Sequence, residues 1–598
     1  MNNNINLTIN EIFSQGVKNY QEGKTDIAQN LYNQVIKIDP NHSQAHNNLG
    51  VIFQNQMNHE KAKNSFEKAI EINPNYVDAY NNLGISLSVL GENKKAKNCY
   101  EKAIELNPNY SQAHNNLGVI FKNLGEYEKA KSCYEKAIVI NPNYSQAHTN
   151  LGIIFKILKD YQKAIGCYEK AVEINPNYSQ VHNNLGVIFK TLGENEKAKS
   201  CYEKAIVINP NYAHAHHNLG IIFKDLGEYE KAKSCYEKAI VINPNYENAY
   251  INLGVIFKEL GEYEKAKSCL EKVIELNPNN EKSINLLQII LSEYRFNYEF
   301  SNDINKLKDL FIFLFRNNDI KHSHISVNAK RLLLNDNVQN QLEEVINSGT
   351  LLDNEVYQNL IKEELFHLMI QKAIIPDIFL ENLLTKIRCE ILFNLEISSK
   401  YNLNEHFNFI ISLAQQCWLN EYVYIESEKE INLANKLKNK IEKHKDVNEL
   451  EVAILGCYMP LKNSINITEK LLAHKSTNIL FDDLISVQIK EPLKEKELAK
   501  SITLFGVIDN IVSNEVRQQY EENPYPRWKY TNKVSPSKFI TWLNSEIKPN
   551  NINYSDKFNN PNVLIAGCGT GSHCIGTTRF ENANILAIDL SLSSLAYA

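Results

Sequence analysis

A period of 34 residues runs through the first half of the chain. Six cysteines recur at this interval, at Cys99, Cys133, Cys167, Cys201, Cys235 and Cys269. The same interval separates eight prolines, which are Pro40, Pro74, Pro108, Pro142, Pro176, Pro210, Pro244 and Pro278. Because a fixed period of roughly 20 to 50 residues is typical of stacked structural repeats, we predict eight repeats over residues 9–280. The cysteines belong to this repeat rather than to a disulfide framework.

Each repeat has the pattern of two helices. In the fourth repeat, one helix-spaced apolar set begins at Leu117 and a second begins at Ala130. A Leu-Gly-Glu-Tyr segment and an Asn-Pro-Asn segment interrupt these sets, and each predicts a turn. A single helix pair cannot bury its apolar face, so we expect the pairs to stack into a solenoid with a long concave groove.

The fixed positions of the repeat identify its type. In the fourth repeat these positions are His114, Leu117, Gly118, Phe121, Ala130, Tyr134, Ala137 and Pro142. This pattern resembles the tetratricopeptide repeat. The resemblance implies that the first helix of each pair lies on the concave side, and that the groove binds a protein or peptide.

Two rows of polar residues follow the first helices. One row is asparagine in seven successive repeats: Asn48, Asn82, Asn116, Asn150, Asn184, Asn218 and Asn252. The other is lysine in five: Lys122, Lys156, Lys190, Lys224 and Lys258. An amide can pair with the backbone of an extended polypeptide, and lysine favours acidic side chains, so both rows are candidate groove residues. The asparagine row resembles the asparagine ladder of O-linked N-acetylglucosamine transferases. The alternative is that each Asn only bonds the neighbouring repeat.

We interpret two further rows of repeated residues as helix-packing positions rather than as metal or disulfide sites. One row is mostly histidine, with His46, His114, His148, His182 and His216, and the other is the cysteine row. Adjacent helices lie about 8–10 Å apart, which is too far for side chains of successive repeats to share one zinc ion or to form a disulfide readily. We therefore predict no metal site and free thiols.

Composition excludes several classes of partner. Lys and Arg total 64 against 70 Asp and Glu, so the net charge is -6 and no basic field favours nucleic acid. No apolar run approaches the ~18 residues of a membrane span, and the start, Met1–Asn10, lacks a secretory signal. We expect a cytoplasmic protein that binds neither nucleic acid nor membrane. Its oligomeric state does not follow from the sequence.

The 34-residue period is absent from residues 283–510, and their sequence pattern predicts a second, helical domain. Helical apolar spacing marks residues 356–375, 379–395 and 407–423, with polar connections between them. Cys417 lies in the third of these stretches. It could be a nucleophile, but no acid or base can be assigned to it, so we interpret it as a core residue.

The segment 511–598 carries a glycine-rich motif. Residues 562–566 form an apolar strand pattern that leads into Gly567, Gly569 and Gly571, and a second strand pattern ends at Asp589. Glycines allow close approach to a ligand, and an acid at this position can bind ribose hydroxyls. The motif resembles that of class I S-adenosylmethionine-dependent methyltransferases. The resemblance implies S-adenosylmethionine as cofactor, with Gly567, Gly569 and Gly571 beside its methionine part and Asp589 on its ribose.

The sequence thus predicts a mainly α chain: a tetratricopeptide solenoid, a helical domain and the start of an α/β Rossmann-like methyltransferase domain. The function expected is a peptide-binding scaffold coupled to methyl transfer, and the alternative is a non-catalytic interaction scaffold. Only 36 residues follow the start of the first strand, so we expect the catalytic domain to be incomplete in this chain. Catalytic residues and the methyl acceptor are not identified, and whether the chain is an enzyme stays open. A repeat-linked glycosyltransferase is disfavoured because no long enough segment is left for it.

Overall fold

The computed structural model of the protein describes residues 8–293, 304–398, 400–501, 562–566 and 584–588. The chain divides into two compact units, Met1–Leu260 and Gly261–Ala598. The described residues of both units are mainly helical. None of the helices within the described ranges is both long and apolar enough to span a bilayer.

The first unit consists of helix pairs in the order that the period predicts. Its helices are α1 (Ile9–Gln21), α2 (Thr25–Ile38), α3 (Ser43–Asn55), α4 (His59–Ile72), α5 (Val77–Val89), α6 (Asn93–Leu106), α7 (Ser111–Asn123), α8 (Tyr127–Ile140), α9 (Ser145–Ile157), α10 (Tyr161–Ile174), α11 (Ser179–Thr191), α12 (Asn195–Ile208), α13 (Ala213–Asp225), α14 (Tyr229–Ile242) and α15 (Glu247–Glu259). Odd-numbered helices are the first helices of their repeats. From α1 to α13 each packs on the second helix of its own repeat, and from α3 to α15 each packs on the second helix of the preceding repeat.

Two kinds of turn set this order. The turn inside most repeats contains a glycine with positive φ, such as Gly125 at 76°, a conformation that glycine adopts without strain. Met57 and Lys159 occupy the same turn in two repeats with φ of 59° and 62°. Between repeats, Oδ1 of Asn141 accepts a hydrogen bond from the backbone N–H of Asn143 at 3.1 Å. This Asn-Pro-Asn turn starts the next first helix.

A glycine on each first helix packs against an aromatic ring of the second helix. A Cβ atom placed on Gly118 would lie 2.6 Å from Cε1 of Tyr134, which is fully buried. The same contact recurs between Gly152 and Tyr168. The absence of a side chain on the first helix therefore lets the two helices of a pair approach closely.

The second unit is also helical. It contains α16 (Tyr263–Leu276), α17 (Glu281–Glu293), α18 (Ile304–Arg316), α19 (Ser323–Leu333), α20 (Asp336–Ser348), α21 (Glu355–Leu360), α22 (Glu364–Lys372), α23 (Ile378–Phe393), α24 (Phe407–Leu419), α25 (Glu428–Lys443), α26 (Glu449–Leu455), α27 (Ile465–Ala473), α28 (Ile479–Ile485) and α29 (Glu491–Ser501). Residues 409–418 of α24 are all buried, and this helix packs against α22, α26 and α28. Cys417 is fully buried in this core, in agreement with its interpretation from the sequence.

One helix predicted from the sequence is wrong in extent. Residues 356–375 form the two helices α21 and α22 rather than one. The chain turns after Leu360, where Nε2 of His367 donates a hydrogen bond of 2.7 Å to the Ile361 carbonyl. A side chain thus replaces the backbone partner that a continuous helix would supply to this carbonyl.

Arg388 is a buried cation that the sequence does not reveal. Its side chain is fully enclosed, and its guanidinium lies 4.5 Å from the ring centre of Tyr458. Nη2 donates a hydrogen bond of 3.0 Å to the Ile425 carbonyl, and Glu426 and Glu430 supply opposite charge at 3.4 and 3.8 Å. These contacts join α23 to the segment that leads into α25.

Two short strands are described beyond the helices. β1 (Asn562–Ala566) and β2 (Asn584–Ile588) pair in parallel, with Asn562 opposite Asn584 and Ala566 opposite Ile588. Parallel strands require a crossover connection, here residues 567–583. Those residues lie outside the described ranges.

The glycine–tyrosine contact predicts opposite effects for two glycine substitutions. Gly118→Ala should lower the melting temperature, because overpacking costs about 1–3 kcal/mol. Most of that range exceeds the roughly 1 kcal/mol gained by replacing glycine within a helix. Gly166→Ala is the matched control, since nothing lies within 4 Å of its added Cβ, and it should raise the melting temperature. Thermal unfolding followed by circular dichroism measures both, and a stabilising Gly118→Ala would refute the contact.

Candidate binding site

The first helices present one continuous surface. On α7, Asn116, Val119 and Lys122 are spaced three residues apart and therefore lie along one face. Equivalent residues repeat on the helices that follow. Five of the seven neighbouring pairs of first helices in this unit also contact one another directly, and no neighbouring pair of second helices does so to the same extent. In a curved stack the more closely spaced helices lie on the concave side, so this surface lines the groove.

The asparagine row forms hydrogen bonds between repeats. Each Nδ2 donates to the preceding repeat in six of the seven members: Asn48 to Tyr32 Oη (3.4 Å), Asn82 to Asn47 (3.2 Å), Asn116 to Asn81 (3.0 Å), Asn150 to Asn115 (2.9 Å), Asn218 to Asn183 (2.9 Å) and Asn252 to Nε2 of His217 (2.9 Å). The alternative interpretation, bonding to the neighbouring repeat, therefore accounts for most of these donors. Binding of a ligand by the row stays a prediction.

The accepting residues form a second row that the sequence analysis did not identify. Asn47, Asn81, Asn115 and Asn183 each stand one residue before a member of the first row, and all four are buried. Nδ2 of Asn115 also donates to Oδ1 of Asn116 at 3.3 Å. The row shares the 34-residue period, so its recurrence was a visible signal. Thr149, His217 and Ile251 interrupt it.

The lysine row is half-buried along the same surface. Nζ of Lys190 lies 3.5 Å from Oδ2 of Asp225, and Nζ of Lys224 lies 3.9 Å from Oδ1 of that carboxylate. Lys258 lies 3.9 Å from Glu259. Lys122 and Lys156 form no ion pair within the described ranges. Positive charge is thus compensated at one end of the row and uncompensated in its first two members.

The histidine and cysteine rows are structural. Nε2 of His114 donates a hydrogen bond of 3.0 Å to the Pro108 carbonyl, and His46, His148, His182 and His216 bond the equivalent proline carbonyls. The nine described cysteines are free thiols, and burial raises the pKa of Cys133 to about 11. No cluster of metal-ligating side chains occurs in the part of the chain that the structure describes.

The predicted cofactor residues cannot be placed. Gly567, Gly569, Gly571 and Asp589 all lie outside the described residues. The parallel pairing of β1 and β2, between which the glycines fall in sequence, is the structural observation that bears on this motif.

Comparison with protein families identifies the repeats. Models described as tetratricopeptide repeats match residues 43–76, 77–110, 111–144, 145–178, 179–212 and 247–280, and further repeat models match 201–234 and 222–261. Residues 43–280 are tetratricopeptide repeats. These matches support the interaction scaffold predicted as the alternative function, and they add nothing in favour of methyl transfer. Comparison with curated protein sequences finds no significant match.

Several solved structures are similar to part of the chain. Pseudomonas aeruginosa pilF is 23% identical, with 36% of this chain and 97% of that chain covered and a TM-score of 0.33. MamA is 28% identical, with coverage of 28% and 96% and a TM-score of 0.25. YrrB, described as a TPR protein with an unusual peptide-binding site, is 23% identical, with coverage of 31% and 96% and a TM-score of 0.27.

His217 makes the repeat junction sensitive to pH. It accepts the hydrogen bond of Asn252 only in its neutral form, and burial lowers its pKa from 6.5 to about 4. A lowered pKa in the folded state means that stability is present above pH 6.5 and is lost as the pH falls toward 4. The junction between α13 and α15 should therefore weaken in acid.

His217→Asn tests this pH dependence. Asn183 shows that asparagine at the equivalent position accepts the same bond, at 2.9 Å, and asparagine does not titrate in this range. We expect the melting temperature of the variant to fall less than that of the native chain between pH 7 and pH 4.5. Parallel slopes of melting temperature against pH for the two proteins would contradict the assignment.

Proposed function

We propose that this protein is an interaction scaffold whose repeat groove binds an extended segment of another protein. The observation that carries the proposal is the continuous surface of amide, apolar and lysine side chains on the first helices. Val119 and Ile153 are only partly buried, and they form an apolar floor between the asparagine and lysine rows. An extended ligand on this floor would lie between the asparagine side chains on one side and the lysine cations on the other.

Blocking the floor should abolish binding without unfolding the repeats. In the double variant Val119→Arg, Ile153→Arg, the long side chains would cover the floor while their charged ends reach water. The matched control is Val139→Arg, Val207→Arg, because these valines are 80% and 81% exposed on second helices. Selection from a library of displayed random peptides should enrich binders on the native chain and on the control.

The variant Val119→Arg, Ile153→Arg should lose that enrichment, and its melting temperature should stay close to that of the native chain. Melting curves of all three proteins are recorded alongside the selection. Equal enrichment by the blocked variant and the control would show that the groove is not the binding surface.

Methyl transfer is a second candidate, supported by the parallel pairing of β1 and β2. Two parallel strands with glycines in the crossover and an acid after the second strand agree with the order expected for a nucleoside cofactor site. We propose that Asp589 would hold the ribose of S-adenosylmethionine and that Gly567, Gly569 and Gly571 would line its methionine part. Titration calorimetry of the full chain tests this candidate.

Saturable heat that Asp589→Ala removes would support S-adenosylmethionine binding. Cys457→Ser, in the core of the helical domain and far along the chain from the motif, is the control that should retain the heat. Absence of saturable heat in the native chain would leave the protein as a scaffold without this cofactor.

A further inference from the structure

One member of the asparagine row, Asn184, lacks the hydrogen bond to the preceding repeat that the other six members form. Asn184, on α11, would pair with the residue at position 149 of α9 if it followed its neighbours, but that residue is threonine. Oγ1 of Thr149 donates a hydrogen bond of 2.9 Å to the Ser145 carbonyl of its own helix. Asn184 forms no hydrogen bond within the described ranges and is half-buried. Its amide is therefore available to a ligand, whereas the Nδ2 donors of Asn150 and Asn218 are occupied.

We call this position, where Asn184 of α11 forms no hydrogen bond to α9, the gap. It leaves an unsatisfied polar group on the first helices.

Positive charge is concentrated beside this gap. Lys156 lies on α9 and Lys122 on the preceding first helix α7, and neither forms an ion pair among the described residues. On the other side of the gap, the carboxylate of Asp225 lies close to both Lys190 and Lys224. An anionic ligand would therefore be attracted to the side formed by α7 and α9.

The repeat spacing restricts the shape of such a ligand. Packed helices generally lie about 8–10 Å apart, and this is the spacing expected for the successive first helices that carry the two lysines. A polyproline II segment advances ~3.1 Å per residue with three residues per turn, so side chains three residues apart point the same way and are separated by about 9 Å. A β-strand places residues three apart on opposite faces. Acidic residues at every third position of a polyproline II segment thus match the spacing expected for the helices that carry the two lysines.

We propose that the groove recognises an acidic, extended segment of a partner protein at this gap. Asn184 pairs with the backbone of the segment, and Lys122 and Lys156 pair with two carboxylates three residues apart. This inference rests on the proposed groove function and adds the ligand class and the position at which it is anchored. The other asparagines of the row hold the repeats together.

Two labelled peptides of the same composition test the spacing. One is a 12-residue repeat of Glu-Pro-Pro, and the other has its glutamates grouped at one end. Fluorescence polarisation with the full chain should give tighter binding of the repeated peptide, and added salt should weaken that binding. Equal affinity for the two peptides would overturn the proposed spacing.

Variants at the gap separate binding from stability. Asn184→Ala should weaken binding of the repeated peptide about fivefold, the factor that corresponds to one hydrogen bond of ~1 kcal/mol, and should leave the melting temperature unchanged. Asn150→Ala removes an occupied donor and should lower the melting temperature. Lys156→Gln should weaken binding, whereas Lys170→Gln, an exposed lysine on α10 that pairs with Glu173, is the matched control and should not.

Thr149→Asn should close the gap. The amide oxygen of the new side chain can accept a hydrogen bond from Nδ2 of Asn184. The melting temperature should therefore rise, and the affinity for the repeated peptide should fall. Undiminished binding in both Asn184→Ala and Thr149→Asn would refute the anchor at Asn184.

The remaining outcomes distinguish this inference from the groove function. If the groove selects random peptides but binds neither glutamate peptide, the ligand class is wrong and the groove function stands. If it binds no peptide at all, both proposals fall. Self-association that Asn184→Ala abolishes, in the absence of peptide binding, would assign the gap to a second copy of the chain and overturn the proposal.

Discussion

The hydrogen bond between asparagines of successive first helices is the interaction on which the array depends. Its donor comes from one repeat and its acceptor from the repeat before, as in the 2.9 Å bond between Asn150 and Asn115. Because Asn115 is fully buried, an acceptor left without this partner would carry a desolvation cost of about 1–3 kcal/mol. Each repeat is thus completed by its neighbour, and the glycine–tyrosine contact completes each pair internally.

The same arrangement limits where a ligand can bind. Where the hydrogen bond between side-chain amides is formed, the Nδ2 donor of the asparagine is used within the solenoid. The Thr149 hydroxyl donates to a carbonyl of its own helix, so Asn184 has no hydrogen-bond partner among the described residues. Lys122 and Lys156, which form no ion pair there, lie on the same side of that gap. One position in an array of nearly identical repeats is therefore distinct for two reasons. Threonine replaces asparagine at position 149, and the lysines before the gap are unpaired whereas those after it lie near carboxylates.

Much of the repeat unit could be predicted from sequence because its period forces the pattern on every copy. The helix pairs and their turns follow from apolar spacing. The hydrogen-bond acceptor of each Asn could not be predicted in this way. In most of these bonds it is the side chain one residue before an Asn of the preceding repeat, and the contact between them depends on how the first helices pack. In the second unit no repetition assists the interpretation, so the break between α21 and α22 and the burial of Arg388 depend on contacts distant in sequence. The glycine motif stays a prediction, since Gly567 and Asp589 lie outside the described residues.

A pair of double-mutant cycles measures the hydrogen bond between repeats and its absence at Asn184. The first cycle combines Asn115→Ala with Asn150→Ala, and the second combines Thr149→Ala with Asn184→Ala, both scored by the free energy of unfolding. We expect a coupling energy of about 1 kcal/mol in the first cycle and none in the second. Coupling of the same size in both cycles, or its absence from the first, would contradict the assignment of one open position in an otherwise closed row.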